Sequence, residues 1–229
     1  PMGALITAGL ISAGVNPLLA TLIACLSGMI PGLVTALLTI KLKIDNLLAG
    51  ILTMTMLYSI NLKLNGKSNV PISDAKSIFN ILNTGNTYVD RLIVLAIIVI
   101  IGKFALDLFM KTKMGYMLIV TGDNKSLVKS LGQNPDNYTI IGLMISNAFV
   151  ALSGSLLAQS MKFADVQMGT GIIVIALASV IIGLTTFRNT DINGSTRAII
   201  GAIIYKIIGT LAIQAGLNPN DLKLINGLI

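Results

Sequence analysis

The apolar residues of this chain are gathered into blocks about one bilayer thickness long, and this pattern constrains the fold more than any other feature. A helix needs about 20 apolar residues to cross the hydrocarbon core. Hydrophobic residues make up 54% of the chain and charged residues 11%, which is less than half of the roughly 25% usual in a soluble domain. Since a helix satisfies its backbone groups internally, lipid can cover such blocks. We therefore expect an all-α fold, a polytopic transmembrane helical bundle.

The alternation of apolar and polar stretches predicts about six to seven spans, including a broken or re-entrant helix. Gly14, Asn16 and Pro17 separate a short first stretch, residues 2–13, from the next span. The apolar run at 172–184 is also short, and it either re-enters or crosses; the arginines of the loop that follows it favour a crossing. The other predicted spans are 17–40, 47–62, 88–110, 139–159 and 198–217.

Two local spacings predict specific contacts. Gly28 and Gly32 form a GxxxG pair, which lets another helix approach closely. Lys103 and Asp107 stand four residues apart near the end of a span, a spacing that favours an ion pair at a solvated helix end. Residues 63–87 read as a polar loop.

Composition excludes most catalytic chemistry. The chain has no His, and all nine acidic residues are Asp, so we expect no metal centre, no cofactor and no enzymatic activity. Cys25 lies in an apolar block and reads as a packing group. Gly66, Lys67 and Ser68 resemble the end of a phosphate-binding loop, but the required first glycine is Asn61. The chain is therefore not expected to hydrolyse ATP by itself.

The net charge of +7 is explained by basic residues at the ends of apolar spans, which favour cytoplasmic loops and anionic lipid over nucleic acid. If 172–184 crosses, eight basic residues fall on one side of the membrane and six on the other. The side with eight is predicted to be cytoplasmic. The eight are Lys41, Lys43, Lys111, Lys113, Lys125, Lys129, Arg188 and Arg197.

Several neutral polar side chains lie within the predicted spans. Small residues in spans usually indicate close helix packing, and the functional alternative is a stripe that borders a water-accessible path. The candidates for lining such a path are Thr55, Tyr58, Ser59, Ser146, Asn147, Ser153 and Ser179. Neutral groups of this kind suit a zwitterion or a polyol better than a strongly charged solute.

Lys206 is a charge near the middle of a predicted span, about 12 Å from its start. An intramembrane cation is a candidate functional residue that faces protein or water, and the alternative is a structural role with an Asp or carbonyl partner. Thr210 and Gln214 follow at four-residue spacing. We expect this face to turn toward protein or a dimer interface.

Several stretches resemble a known family. They are Ala13-Gly14-Val15-Asn16-Pro17, Leu48-Ala49-Gly50-Ile51-Leu52 with Leu57-Tyr58-Ser59-Ile60-Asn61-Leu62, Ala151-Leu152-Ser153-Gly154-Ser155-Leu156, and Met168-Gly169-Thr170-Gly171 with Ser179-Val180-Ile181-Ile182-Gly183. The chain resembles the membrane-spanning permease subunits of bacterial ABC importers, in the branched-chain amino acid and ribose permease group. Within that group it looks closest to aromatic amino acid permeases of the tryptophan and tyrosine type.

The resemblance implies one transmembrane permease domain over residues 1–229, as an internal fragment of a longer subunit in the bacterial cytoplasmic membrane. It also implies a cytoplasmic coupling segment at 111–138. There Asp123 replaces the Glu of the family's Gly-Glu-Asn pattern. The implied ATPase-coupling residues are Gly122, Asp123, Asn124, Lys125, Leu127, Leu131 and Gly132.

The partners that the resemblance implies are ABC ATP-binding subunits, an extracytoplasmic solute-binding lipoprotein and a second permease copy, with a homodimer expected. The expected function is ATP-driven import of an amino acid by alternating access. The alternative is a stand-alone secondary transporter or channel, because the break at Asn16-Pro17 and the glycines at 169–171 are also typical of that class.

Overall fold

The computed structural model describes residues 1–72, 77–81, 86–190, 192–214 and 216. It comprises two compact units, Pro1–Met168 and Gly169–Ile229. The helices of the first unit are α1 (Met2–Ser12), α2 (Pro17–Ser27), α3 (Met29–Lys41), α4 (Asn46–Asn65), α5 (Thr87–Met110), α6 (Lys113–Asp123), α7 (Lys125–Ser130) and α8 (Pro135–Met161). The second unit contains α9 (Ile172–Thr186) and α10 (Gly194–Gln214).

Helices α2 and α4 to α8 of the first unit begin at side-chain caps. Asn16 and Asn134 each precede a proline, and the side-chain oxygens of the two accept from the amides of Leu18 and Asp136 at 2.9 and 3.0 Å. Asp45 caps α4 in the same way. Since proline has no amide to satisfy and its φ suits the first helical turn, Asn-Pro fixes where α2 and α8 start.

The predicted span 17–40 is interrupted once. The helix changes from α2 to α3 at Gly28. Pro31 lies four residues after Ser27 and has no N–H with which to donate to the Ser27 carbonyl, so the helical hydrogen-bond ladder is broken at this point. Pro17–Lys41 still forms one 25-residue apolar segment.

Helix α8 is the centre of the first unit and contacts α1, α2, α3, α6 and α7. A Cβ on Gly28 would lie 2.5 Å from the Ala151 Cβ, and one on Gly32 would lie 2.5 Å from the Leu143 carbonyl oxygen. The order of these contacts makes α3 antiparallel to α8. The close approach predicted from the glycine pair is confirmed.

A buried hydrogen-bond network joins α1, α2 and α8. The Thr7 hydroxyl donates to Ser155 Oγ at 2.7 Å, and Ser155 donates to Thr21 Oγ1 at 3.2 Å. The Gln159 amide donates to the same Thr21 oxygen at 2.8 Å, and Thr21 donates to the Pro17 carbonyl at 2.8 Å. All four side chains are at most 4% exposed. Because every one of them is paired, their burial carries little desolvation penalty.

Residues 63–87, predicted as a polar loop, contain regular structure. Strand β1 (Asn69–Pro71) pairs antiparallel with β2 (Phe163–Asp165), which follows α8. A 3₁₀ helix, Ile78–Ile81, comes next, and the Ile78 amide donates to Gln159 Oε1 at 2.9 Å. The prediction of a loop was wrong in this respect, because the strand pairs with a segment almost a hundred residues away and such a partner leaves no local signal.

In the second unit, α9 and α10 pack together through glycines. A Cβ on Gly183 would meet the Arg197 carbonyl, and one on Gly201 would meet the Ser179 carbonyl. This order makes the two helices antiparallel. Small residues therefore bring the two backbones into direct contact, as is common in membrane helix pairs.

Five helical segments in the described part of the chain are long and apolar enough to cross a membrane: Pro17–Lys41, α4, α5, α8 and α10. Helices α1 and α9 are apolar but shorter. At 15 residues, α9 spans about 22 Å, less than the roughly 30 Å hydrocarbon core.

The predicted all-α polytopic architecture is confirmed. The predicted Lys103–Asp107 ion pair is confirmed as well, since Nζ and Oδ2 lie 2.7 Å apart.

Asn61 on α4 is 1% exposed, and neither its side-chain nitrogen nor its oxygen has a hydrogen-bond partner among the described residues. A buried unpaired polar group costs about 1–3 kcal/mol. We therefore expect Asn61→Leu, which has a similar volume, to raise the free energy of unfolding by about 1–2 kcal/mol. Thermal unfolding of the purified variant in detergent measures this change.

Asn65→Leu is the control for this test. The Asn65 side chain donates to the Asn61 carbonyl at 3.1 Å, so losing this hydrogen bond should not raise the free energy of unfolding. A lower stability of Asn61→Leu than of the unmodified chain would show that the Asn61 amide is satisfied by a bound group.

Candidate functional site

Helices α6 and α7 lie between the crossing helices α5 and α8 and contact α8. A single residue joins them. Asn124 ends α6, where its amide donates to the Val120 carbonyl at 2.8 Å, and its side chain begins α7 by accepting from the amides of Ser126 and Leu127 at 3.0 and 3.2 Å. The predicted coupling segment at 111–138 therefore contains a short helix, α7, which begins at a bend in the chain.

The end of α7 is equally defined. Gly132 has φ +72°, and the amides of Gly132 and Gln133 donate to the carbonyls of Lys129 and Val128 at 2.9 and 3.1 Å. This is the Schellman arrangement, in which a left-handed residue closes a helix and glycine is favoured. Gly132 thus has a clear structural role, and Gly122 lies in α6 with open space where a Cβ would be.

The two apolar side chains predicted to take part in coupling point away from the protein. Leu127 is 47% exposed and Leu131 is 58% exposed, whereas Val128 between them is fully buried. Lys125 and Asp123 are also exposed. An exposed leucine pair at four-residue spacing beside charged groups is the pattern of a short helix that docks on another protein. We call Leu127, Leu131, Lys125 and Lys129 the α7 surface.

Three path-lining candidates share one face of α4. Thr55, Tyr58 and Ser59 are exposed, while α4 packs on α3 and α1 through a different face that includes Ala49, Thr53 and Asn61. The Thr55 hydroxyl donates to the Leu52 carbonyl of its own helix at 2.8 Å. The structure thus brings these three groups together on a face that no described helix of the first unit covers.

The remaining candidates lie in different settings. Ser146 and Ser153 are exposed on α8, on the side opposite to its packing face. Asn147 is partly buried and donates to the Leu143 carbonyl at 2.9 Å. Ser179 is 6% exposed within the α9–α10 contact, and its hydroxyl donates to the Ile175 carbonyl at 2.7 Å. A path-lining role for these residues stays a prediction.

The sequence interpretation missed the hydroxyls that cross between helices. Thr53, and not Thr55, accepts from the Thr35 hydroxyl of α3 at 2.9 Å. Ser155 and Gln159 continue the buried face of Ala151 at four-residue steps. That spacing was visible in the sequence, because Ala151, Ser155 and Gln159 must share one face of a helix.

The family comparison decides what kind of protein carries these surfaces. Residues 1–227 match the family described as the permease component of the branched-chain amino acid transport system. The chain belongs to this permease family. It is a multi-pass permease of the cytoplasmic membrane, and the family is one of transport components, not of enzymes.

Individual relatives agree with this assignment. The permease is 47% identical to a tyrosine transport system permease protein of Clostridioides difficile, over all of this chain and 76% of that protein. It is 33% identical to the uncharacterized protein RP368 of Rickettsia prowazekii, over 82% of this chain and 67% of the relative. An autoinducer 2 import system permease of Escherichia coli is 30% identical over 46% of this chain and 30% of its own length. No solved structure matches the chain.

Lys206 lies in the second half of α10 and is exposed, as are Thr210 and Gln214 on the same face. The Thr210 hydroxyl donates to the Lys206 carbonyl at 2.8 Å. Among the described residues of the second unit no helix covers this face, since α9 packs on the side of Gly201. The expectation that it turns toward a protein interface therefore requires a surface other than α9.

We expect Lys206→Met to keep transport by the permease and to raise the yield of folded protein. A lysine at the centre of a membrane helix costs about 2.5–3.5 kcal/mol to insert, and methionine removes that cost while keeping a similar length. Uptake and folded yield measure the two effects, with Ile207→Met as a neutral control on an adjacent exposed position. Loss of uptake with continued ATP hydrolysis would instead make Lys206 part of the gate.

Proposed function

We propose that this permease is the membrane-spanning subunit of an ATP-driven ABC importer that carries an amino acid into the cell by alternating access. The observation that carries the proposal is the α7 surface, where Leu127 and Leu131 are exposed on a short helix of defined ends that also carries Lys125 and Lys129. In water such leucines gain from burial against a partner. An ATP-binding subunit docked there would move α7 and, through its contacts, α8.

The partners follow from this assignment. Permeases of ABC systems work with ATP-binding subunits and with binding proteins. We propose a homodimer, with two ATP-binding subunits on the side of α7 and a solute-binding lipoprotein on the opposite side. A second copy would also cover exposed helix faces of the single chain, such as the α4 face with Thr55, Tyr58 and Ser59.

An amino acid is the proposed solute. The similarity to a tyrosine transport permease supports it, and the exposed path-lining candidates on α4 and α8, Thr55, Tyr58, Ser59, Ser146 and Ser153, carry neutral hydroxyls. Hydroxyls can hydrogen-bond both the ammonium and the carboxylate of a zwitterion, because each can donate and accept. We propose an aromatic amino acid, tyrosine or tryptophan, as the preferred solute.

Uptake of labelled solutes tests the proposal. A strain that lacks the gene and then regains it is expected to recover uptake of tyrosine or tryptophan, and not of ribose, because the binding protein selects the solute. Solute uptake into reconstituted vesicles that contain the permease, its ATP-binding subunit and its binding protein should require ATP hydrolysis.

A partner ATPase that binds but cannot hydrolyse ATP is the control, and it should support no uptake. Recovery of ribose uptake alone would refute the amino-acid assignment. Uptake driven by an ion gradient in vesicles without the ATPase would identify a secondary transporter instead.

A further inference from the structure

A small pocket lies at the end of α8 that is remote from α7. Its volume is about 60 Å³, and its lining includes Ser77, Thr87, Arg91, Gln159 and Lys162. Gln159 is 24 residues from the start of α8, which places the pocket about 36 Å from that end at 1.5 Å per residue. Within the first unit, the pocket is thus on the face opposite to the α7 surface.

Arg91 is the unusual member of this lining. It lies on the second turn of α5 and is partly buried, and its Nε–H is shielded from solvent without an acceptor among the described residues. The guanidinium makes no ion pair within that part of the chain. A guanidinium carries five N–H donors and cannot lose its charge, so it normally meets a planar anion in such a position.

Two other residues of the lining, Ser77 and Thr87, can donate to the same anion. The Ser77 oxygen accepts from the Phe79 amide at 3.3 Å, which leaves the hydroxyl proton of Ser77 free to donate. Thr87 stands one helical turn before Arg91 on the same face of α5. The neighbouring Asp90 is buried and has an interaction of its own.

The floor of the pocket is rigid. The Gln159 carboxamide is held on both sides, since its oxygen accepts from Ile78 and its nitrogen donates to Thr21. This fixes the 3₁₀ helix against α8. A preformed donor set loses little conformational entropy when it binds a ligand.

We propose that the pocket of Arg91, Ser77 and Thr87 binds a single carboxylate group. A volume of 60 Å³ is several times the roughly 10–15 Å³ that one water molecule needs, so the pocket has room for a carboxylate group. That carboxylate belongs to a larger molecule whose remainder extends out of the pocket. It comes either from the solute as it approaches or from an acidic side chain of a docked protein. The position of the pocket on the outer face of the membrane rests on the proposed function; carboxylate binding itself does not.

The chain contains only three arginines, Arg91, Arg188 and Arg197, which makes a direct test simple. The full chain labelled with ¹⁵N-arginine in detergent or nanodiscs gives three Nε–H signals, and Arg→Lys variants assign each one. Sodium acetate is the probe, against sodium chloride at equal ionic strength. We expect acetate to shift the Arg91 signal saturably, with a Kd on the order of 1–10 mM, and to leave the other two signals in place.

Two further ligands separate the sources of the carboxylate. If the solute supplies the carboxylate, phenylalanine should shift the Arg91 signal. Phenethylamine, which lacks the carboxylate, should leave it in place. A shift with acetate and none with phenylalanine assigns the group to an acidic side chain of a docked protein. An Arg91 signal that acetate and phenylalanine both leave unmoved overturns the proposal. Because this readout uses no transport and no ATPase, it succeeds or fails independently of the proposed function.

Discussion

Replacing Leu127 and Leu131 together with Asp is expected to reduce solute-stimulated ATP hydrolysis by the assembled transporter to its basal rate. Both side chains are exposed, at 47% and 58%, so the fold of the permease should not depend on them. In a docked complex each new carboxylate would be buried without a partner, at a cost of about 3–5 kcal/mol. That cost exceeds the roughly 1.4 kcal/mol equivalent to a tenfold loss of affinity. ATPase assays on the purified complex, with and without solute and binding protein, measure the effect.

The matched control is Gln133→Glu with Asn137→Asp, which adds the same two charges on the same side of the protein at exposed polar positions outside the α7 surface. ATP hydrolysis by the complex with this control variant should still be stimulated by solute. The folded yield of both variants in the membrane should equal that of the unmodified chain. If the Asp variant is stimulated as strongly as the control, the α7 surface is not where the motor acts.

Replacing Gly32 with Leu is expected to destabilise the permease by about 3 kcal/mol, the upper part of the range for overpacking a close contact. The new Cβ would lie 2.5 Å from the Leu143 carbonyl oxygen and 2.7 Å from the Met144 Cα. Both atoms belong to the α8 backbone, so no side-chain rotation can relieve the clash and α3 must move away. The loss of folded protein in detergent and the midpoint of thermal unfolding report the effect.

Gly50→Leu provides the control within the same unit. Gly50 is also helical, but a Cβ there meets no atom within 4 Å. A leucine should therefore gain up to about 1 kcal/mol from its higher helix propensity. Equal stability of the Gly32 and Gly50 variants would contradict the close α3–α8 contact.

Features that depend on local spacing could be predicted from the sequence. The Gly28 and Gly32 pair gave the close helix contact, and Lys103 and Asp107 gave the ion pair. The Asn16-Pro17 break marks the beginning of α2. In each case the interacting residues lie within one or two helical turns of each other, so the local sequence is sufficient to predict the feature.

Features that depend on distant partners could not be predicted. Thr7 and Ser155 are 148 residues apart, and Thr21 and Ser155 are 134 apart. The β1–β2 pairing is of the same kind. Threonine and serine within apolar blocks look alike in a sequence, because their hydroxyls can bond back to their own helix as Thr55 does. The tertiary fold decides which of them cross between helices.

Helix α8 runs without interruption from Pro135 to Met161, a length of 27 residues. At 1.5 Å per residue it is a rod of about 40 Å. It contacts α7, which precedes its first turn in the chain, and its Gln159 side chain holds the 3₁₀ helix near its other end. A rigid rod of this length converts a tilt of about 5° at one end into a displacement of about 3.5 Å at the other. Helix α8 is therefore long enough that a small tilt imposed at its α7 end would make or break a hydrogen bond at its Gln159 end.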